Sequence, residues 1–155
     1  MKIRKDVNRD TQAGMDTIQM QPIGVIRSPY TSREDAPRQG VDAMKHTGTI
    51  ELFDSFAEGA RDITPGSLGQ IVFYFHKSEG YSLITTSRKD QKMKGVFSTR
   101  SPFRPNAIGV SIVRFESVDK NIITFRGVDM LDGTPVLDIK PYDSGLELCV
   151  GSDKA

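Results

Sequence analysis

One apolar run, residues 70–76 (QIVFYFH), limits the chain to a small set of folds. It is the densest strand pattern in the sequence. A continuous apolar run of this length is typical of a strand buried on both faces or of a barrel strand. Other strand patterns recur at intervals of about 8–12 residues, which favours a barrel or a sandwich. These segments are residues 23–26, 49–53, 81–86, 108–118, 122–128 and 136–139.

Helical patterns are nearly absent. One short helix is predicted over residues 56–61, where Asp54 or Ser55 supplies a cap and Pro65 follows the end. The sequence Asp119-Lys120-Asn121 predicts a hairpin turn between two strands. No alternation of strands and helices is visible. We therefore predict an all-β fold, a single β-barrel domain with one short helix and long loops.

The chain length fits one domain, since 155 residues lie in the usual range for a single core. Residues 1–20 mix charged and small polar side chains with few large apolar ones, so we predict a flexible polar leader. We place the barrel domain at residues 21–150.

Composition excludes several classes of protein. The net charge of +1 does not indicate a nucleic-acid binder, so any RNA contact requires a local basic patch or a two-subunit surface. A lone cysteine, Cys149, excludes an internal disulfide or a zinc cluster. His46 and His76 lack the spacing of metal ligands, so no metal is expected. Without a membrane span or a secretory signal, we expect a soluble, cytoplasmic protein.

The most unusual segment is residues 95–106 (GVFSTRSPFRPN). Pro102 and Pro105 fix the backbone and remove two donors, which excludes a helix or a central strand. Arg100 and Arg104 lie among small hydroxyl side chains and an aromatic ring. Such a loop suits a planar or anionic ligand, because guanidinium groups bind carboxylates and stack on rings. It also suits a stiff barrel corner whose arginines pair with nearby acids.

A second tight loop covers residues 129–135 (DMLDGTP). Asp132-Gly133 fits a turn that needs a positive φ angle. The Asp132 carboxylate has the chemistry to accept hydrogen bonds from ribose hydroxyls or an ammonium group, but a plain hairpin turn explains the sequence as well. The sequence does not decide the roles of His76, at the end of its strand, and Tyr142. Each is either a ligand contact or a structural residue at the rim or in the core.

Together these segments resemble the tRNA threonylcarbamoyladenosine N6-methyltransferase family. The resemblance covers nearly all of residues 22–143, and two long motifs make it specific. The matching segments are residues 22–30 (PIGVIRSPY), 37–40 (PRQG), 72–76 (VFYFH), 95–109 (GVFSTRSPFRPNAIG) and 131–142 (LDGTPVLDIKPY).

This resemblance implies a β-barrel that binds S-adenosyl-L-methionine and methylates N6 of threonylcarbamoyladenosine at position 37 of tRNA. It also implies a homodimer with the cofactor cleft near the subunit interface. Arg104 and Asn106 are candidate contacts to the tRNA substrate. The proton acceptor is not assigned, and His76 and Tyr142 are the candidates. The family's cofactor contacts correspond to Pro37, Arg38, Gln39, His76, Lys77, Arg100, Val110, Leu131, Asp132, Gly133 and Thr134.

The sequence departs from the family pattern in two places. The bacterial type carries a further domain after the Lys-Pro-Tyr motif, whereas this chain ends at Ala155, and Ala107 stands where the family often has proline. Two alternatives therefore stay open. One is a methyltransferase of the same fold with another substrate, and the other is a regulatory module that binds S-adenosyl-L-methionine without catalysis.

Overall fold

A computed structural model of the chain describes residues 17–37, 43–87 and 90–147. The strands are β1 (Gly24–Arg27), β2 (Thr47–Leu52), β3 (Leu68–Tyr74), β4 (Ile84–Thr86), β5 (Met93–Gly95), β6 (Ile108–Asp119), β7 (Ile122–Arg126) and β8 (Pro135–Pro141). Six of them are antiparallel and close into a barrel in the order β1-β2-β7-β6-β3-β8, and β4 and β5 form a separate two-stranded sheet. The all-β barrel prediction is confirmed.

The barrel core is built from side chains that alternate along each strand. In β3 every second residue is buried, so its apolar run belongs to a barrel strand and not to a sheet covered on both faces. The tight packing is clearest at Gly109, where a side-chain Cβ would collide with the ring of Phe73 on the neighbouring strand. The largest fully buried side chains are Phe125, Ile26, Ile50, Ile71, Ile123, Val96, Val113, Val128 and Val136.

The two ends of the barrel are defined by the strand directions. We call one end the mouth, where β1, β3 and β7 finish and β2, β6 and β8 begin. We call the other end the base, where those directions are reversed. Asp119 and Ile122 are joined at the base by a two-residue turn in which Lys120 has a φ of 55°, so the predicted hairpin connection is confirmed.

Three local features differ from the sequence predictions. The predicted helix is a 3₁₀ helix, Asp54–Ala60, and a four-residue α-helix, α1 (Ser144–Glu147), was not predicted. Only the last part of the predicted strand at residues 81–86 is a strand, β4. It pairs with β5, which could not be predicted because its sequence Met-Lys-Gly has no β pattern. The conformation of β5 depends on its pairing with the neighbouring segment and not on a buried face.

Several predictions lie outside the described residues. They are most of the leader (residues 1–16), the cofactor contacts Arg38 and Gln39, and the end of the predicted domain (residues 148–150).

Within the described ranges, no helix has both the length and the apolar character needed to cross a membrane. In those same ranges, no group of three or more His, Cys, Asp or Glu side chains is arranged to hold a metal ion.

Candidate functional site at the barrel mouth

A tight turn at residues 131–134 lies at the mouth, directly before β8. Thr134 N donates to the Leu131 carbonyl at 3.2 Å, and Gly133 has a φ of 78°, which only glycine adopts without strain. Gly133 N also donates to the Ile26 carbonyl at 2.9 Å. The turn is therefore rigid and is attached to the end of β1.

The side chain of Asp132 joins this turn to the segment that follows β1. Its Oδ1 accepts a hydrogen bond from Ser28 N at 3.1 Å, while Ser28 Oγ donates to the Met130 carbonyl at 2.7 Å. Asp132 N donates to the Tyr30 carbonyl at 2.7 Å. Asp132 thus has one carboxylate oxygen committed to the fold, and its second oxygen is the one left for a ligand.

His76, which the resemblance also assigns to the cofactor contacts, lies against the same turn. Its Nδ1 is 3.3 Å from Thr134 Oγ1, and its Nε2 is 3.9 Å from the position that a Cβ on Gly133 would occupy. Burial lowers the pKa of His76, and the charge of Lys77 lowers it further, against an opposing effect of Asp132. The imidazole is therefore neutral at neutral pH and has one nitrogen that carries a lone pair.

Two further predicted contacts border the mouth. Lys77 Nζ donates to the Thr31 carbonyl at 2.8 Å, which links the end of β3 to the loop after β1. Pro37 is half-buried and is the last described residue of that loop.

The arginine-rich loop is held by its own hydrogen bonds. Thr99 N donates to the Val96 carbonyl at 3.0 Å, and Val96 is buried. Arg104 Nη1 donates to the carbonyls of Thr99 at 3.1 Å and Ser101 at 3.4 Å. Arg104 thus stiffens the loop. Its predicted contact with substrate, and that of the exposed Asn106, stay predictions.

Arg100 differs from Arg104 in having an available guanidinium group. The side chain is exposed, and within the described residues it makes no hydrogen bond and no ion pair. Its positive charge acts on Asp129, where it helps to lower the pKa of that carboxyl group. The alternative in which the loop arginines pair with acids at a barrel corner therefore does not describe Arg100.

Sequence reasoning missed a polar pair at the mouth, Asp129 and Ser111. Ser111 Oγ donates to Asp129 Oδ1 at 2.7 Å, and Ser111 is buried on β6 between the inward-facing residues Gly109 and Val113. Burial raises the pKa of Asp129, and the Ser111 hydroxyl and the Arg100 charge only partly oppose this effect. A serine at an inward position of an apolar strand was the available signal.

Two predicted site residues lie apart from this cluster. Val110 is exposed on the outer face of β6, whereas its neighbour Ser111 points inward. Tyr142 N donates to the Leu68 carbonyl at the start of β3, so Tyr142 lies at the base. At about 3.3 Å per strand residue, the length of β3 places Tyr142 roughly 25 Å from His76 within one chain.

Comparison with known proteins gives consistent results. The family model described as the tRNA-methyltransferase O N-terminal domain matches residues 25–147. Crystal structures of TrmO are similar, and one from Pseudomonas aeruginosa has a TM-score of 0.72 and 37% sequence identity, covering 90% of this chain and 61% of that one.

Curated relatives carry different functional names. A protein from Pyrococcus abyssi, 44% identical over 121 residues, is called a probable S-adenosyl-L-methionine-binding protein. The tRNA (adenine(37)-N6)-methyltransferase of Escherichia coli is 38% identical over 138 residues. These matches cover 78% and 83% of this chain, which spans only 66% of the first relative and 59% of the second. With most of its barrel matched, the chain belongs to the family of the tRNA-methyltransferase O N-terminal domain.

Proposed function

We propose that the chain binds S-adenosyl-L-methionine at the barrel mouth and methylates N6 of threonylcarbamoyladenosine at position 37 of tRNA. The observation that carries the proposal is the exposed guanidinium group of Arg100, unpaired among the described residues, whose charge acts on Asp129 just before the glycine turn, in a chain of this family. Relatives named as S-adenosyl-L-methionine-binding proteins and as tRNA methyltransferases support both halves of it.

The residues at the mouth fit this cofactor. A guanidinium group without a close partner among the described residues is suited to a carboxylate, with which it forms two parallel hydrogen bonds. The turn at residues 131–134 offers the second oxygen of Asp132 to a ribose hydroxyl. When bound, S-adenosyl-L-methionine supplies the methyl group, and the chain orients the two reactants, an effect that contributes up to about 7–11 kcal/mol in well-aligned reactions.

His76 is the group we propose to accept the proton that leaves N6. It is neutral, it is oriented by Thr134 Oγ1, and it lies at the mouth with the other candidate contacts. Tyr142 is less suited, because it lies at the base of the same chain. Proton transfer to a positioned base typically contributes about 10²–10⁴ in rate.

The proposal includes a homodimer whose interface adjoins the cofactor cleft. Large apolar side chains are exposed on the outer face of β6, at Val110 and Ile112, and around the β4–β5 hairpin, at Leu83, Met93 and Phe97. Exposed apolar groups of this kind are typical of interaction surfaces. Since Val110 belongs both to this surface and to the predicted cofactor contacts, the cleft and the interface meet there. Sedimentation equilibrium should give twice the chain mass.

A second candidate function is cofactor binding without tRNA methylation. The relative from Archaeoglobus fulgidus that is 38% identical over 133 residues is named only an S-adenosyl-L-methionine-binding protein, and this chain spans 93% of its length. The net charge of +1 is also unusual for a protein that binds RNA through its phosphates.

Mass spectrometry of tRNA nucleosides separates these functions. Unmethylated tRNA that carries threonylcarbamoyladenosine should gain one methyl group on that nucleoside when incubated with the protein and S-adenosyl-L-methionine. The His76→Gln variant should show little product. Tight cofactor binding without any methylated nucleoside would favour the second candidate, or a methyltransferase with another substrate.

A further inference from the structure

Asp129 is a half-buried carboxylate that the proposed function does not yet use. It follows β7 and lies two residues before the turn at residues 131–134. The hydroxyl of Ser111 is 2.7 Å from its Oδ1. Burial raises its pKa in spite of that hydrogen bond, so the fold does not fully compensate its charge. A buried charge with incomplete compensation costs stability and is characteristic of functional sites.

The positive charge that acts on Asp129 is that of Arg100, and the two side chains do not form an ion pair within 4.0 Å. Direct pairing would use the donors of one group and the acceptors of the other. Kept apart, the cation and the anion each remain available to a ligand. Such an arrangement is complementary to a zwitterion, whose carboxylate meets the guanidinium group and whose ammonium meets the carboxylate.

The other carboxylate at the mouth is less suited to the ammonium. Asp132 already accepts the Ser28 amide with Oδ1. Asp132 also interacts electrostatically with His76, whereas Asp129 interacts with Arg100. The hydroxyl of Tyr30, whose pKa is raised by burial and by the charge of Asp129, is buried and has no hydrogen-bond partner among the described residues. The Tyr30 hydroxyl therefore adds, within the electrostatic reach of Asp129, a buried polar group that has no partner among the described residues.

We propose that Asp129, whose carboxylate accepts the Ser111 hydroxyl, binds the α-amino group of the amino-acid end of the cofactor. This inference rests on the proposed binding of S-adenosyl-L-methionine. It assigns the amino acid's two charges to two different elements, the carboxylate to the loop after β5 and the ammonium to the segment after β7. It leaves Asp132 for the ribose.

Isothermal titration calorimetry with two ligands tests this assignment. S-adenosylhomocysteine has the amino-acid end, while 5′-methylthioadenosine lacks it. Asp129→Asn should weaken binding of S-adenosylhomocysteine at least tenfold and leave binding of 5′-methylthioadenosine within twofold, which also shows that the variant is folded. Ser111→Ala should cause a smaller loss, because it only frees the carboxylate to move. Asp119→Asn, an exposed carboxylate at the base, is the matched control and should change neither affinity.

A ligand variant makes the same test on the unaltered protein. S-adenosylhomocysteine without its α-amino group should bind the wild-type chain at least tenfold more weakly, and Asp129→Asn should not weaken it further. Wild-type affinity of Asp129→Asn for S-adenosylhomocysteine would overturn the assignment, and loss of methyl transfer alone would then point to proton transfer instead. Equal loss of 5′-methylthioadenosine binding would also overturn it. If the wild-type chain bound neither ligand, the proposed function itself would fail.

Discussion

The two ends of the barrel differ in how their polar groups are satisfied. At the base, polar groups are satisfied locally: the Asn121 side chain donates to the Leu52 carbonyl at 2.9 Å, and Arg114 Nη1 donates to the Gly66 carbonyl at 2.6 Å. At the mouth, the guanidinium of Arg100 and the hydroxyl of Tyr30 lack such partners within the described residues. The polar groups named at the base therefore contribute to the fold, whereas the two named at the mouth have no partner in the described part of the chain.

The strongest test of the comparison is one substitution at each end. His76→Gln at the mouth should lower kcat by roughly 100-fold or more, because it removes the proposed proton acceptor. Tyr142→Phe at the base should leave kcat within a factor of two. Single-turnover methyl transfer measures both. A large defect in the Tyr142 variant would show that the base contributes to catalysis, as it would if a partner subunit placed it there.

Arginines at the two ends form the second matched pair. Arg100→Ala should weaken binding of S-adenosyl-L-methionine about 10–100-fold, the range expected when a bidentate, charge-assisted pair is lost. Arg61→Ala, which removes only exposed ion pairs to Glu58 and Asp62, should change the affinity less than twofold. Calorimetric Kd values decide this, and an unchanged affinity in Arg100→Ala would contradict the carboxylate role.

Two glycines with similar backbone angles allow a third test. Gly133 at the mouth has a φ of 78° and Gly66 at the base has a φ of 88°. Alanine at either position should cost about 1–2 kcal/mol of stability, because its Cβ is strained in this conformation. Only Gly133→Ala should also weaken cofactor binding. Urea denaturation measures the first effect and calorimetry the second, and equal binding losses in both variants would remove the distinction between the ends.

The smallest expected effect concerns the stability of the ligand-free protein. Since burial raises the pKa of Asp129 above its unfolded value, this group destabilises the folded state increasingly as the pH rises through its folded pKa. Asp129→Asn should therefore unfold a few degrees higher than wild type at about pH 7.5, and the gain should vanish below about pH 3, where the carboxyl group is protonated in both the folded and the unfolded state.

Asp119→Asn, exposed at the base, is the control for this measurement and should show no gain at either pH. A gain in both variants would reflect net charge and not burial. A loss of stability in Asp129→Asn at neutral pH would mean that its hydrogen bond with Ser111 outweighs the cost of burying the charge.

Much of the barrel could be predicted because its strands are encoded locally. The alternation in β2, β6 and β7 is visible in the sequence, and so is the turn between β6 and β7. The β4–β5 hairpin could not be predicted, since the conformation of Met93–Gly95 depends on a neighbouring segment rather than on its own side chains.

The sequence motifs predicted neighbouring residues of the candidate site in some segments and not in others. His76 and Thr134 are far apart in the chain yet meet at the mouth, as the resemblance implied. The motif at residues 131–142 is different, because β8 runs from the mouth to the base and carries Tyr142 away from Asp132. Asp129 was missed because its burial depends on closure of the whole barrel, which no local pattern reports.

Backbone NMR titration with S-adenosyl-L-methionine tests the distinction between the two ends most directly. We expect the largest amide shifts at the mouth, at Arg100, Asp129, Gly133 and Thr134. We expect shifts near zero at the base, at Lys120 and Asn121. Shifts concentrated at the base, or none at saturating cofactor, would contradict the assignment of the mouth as the cofactor site.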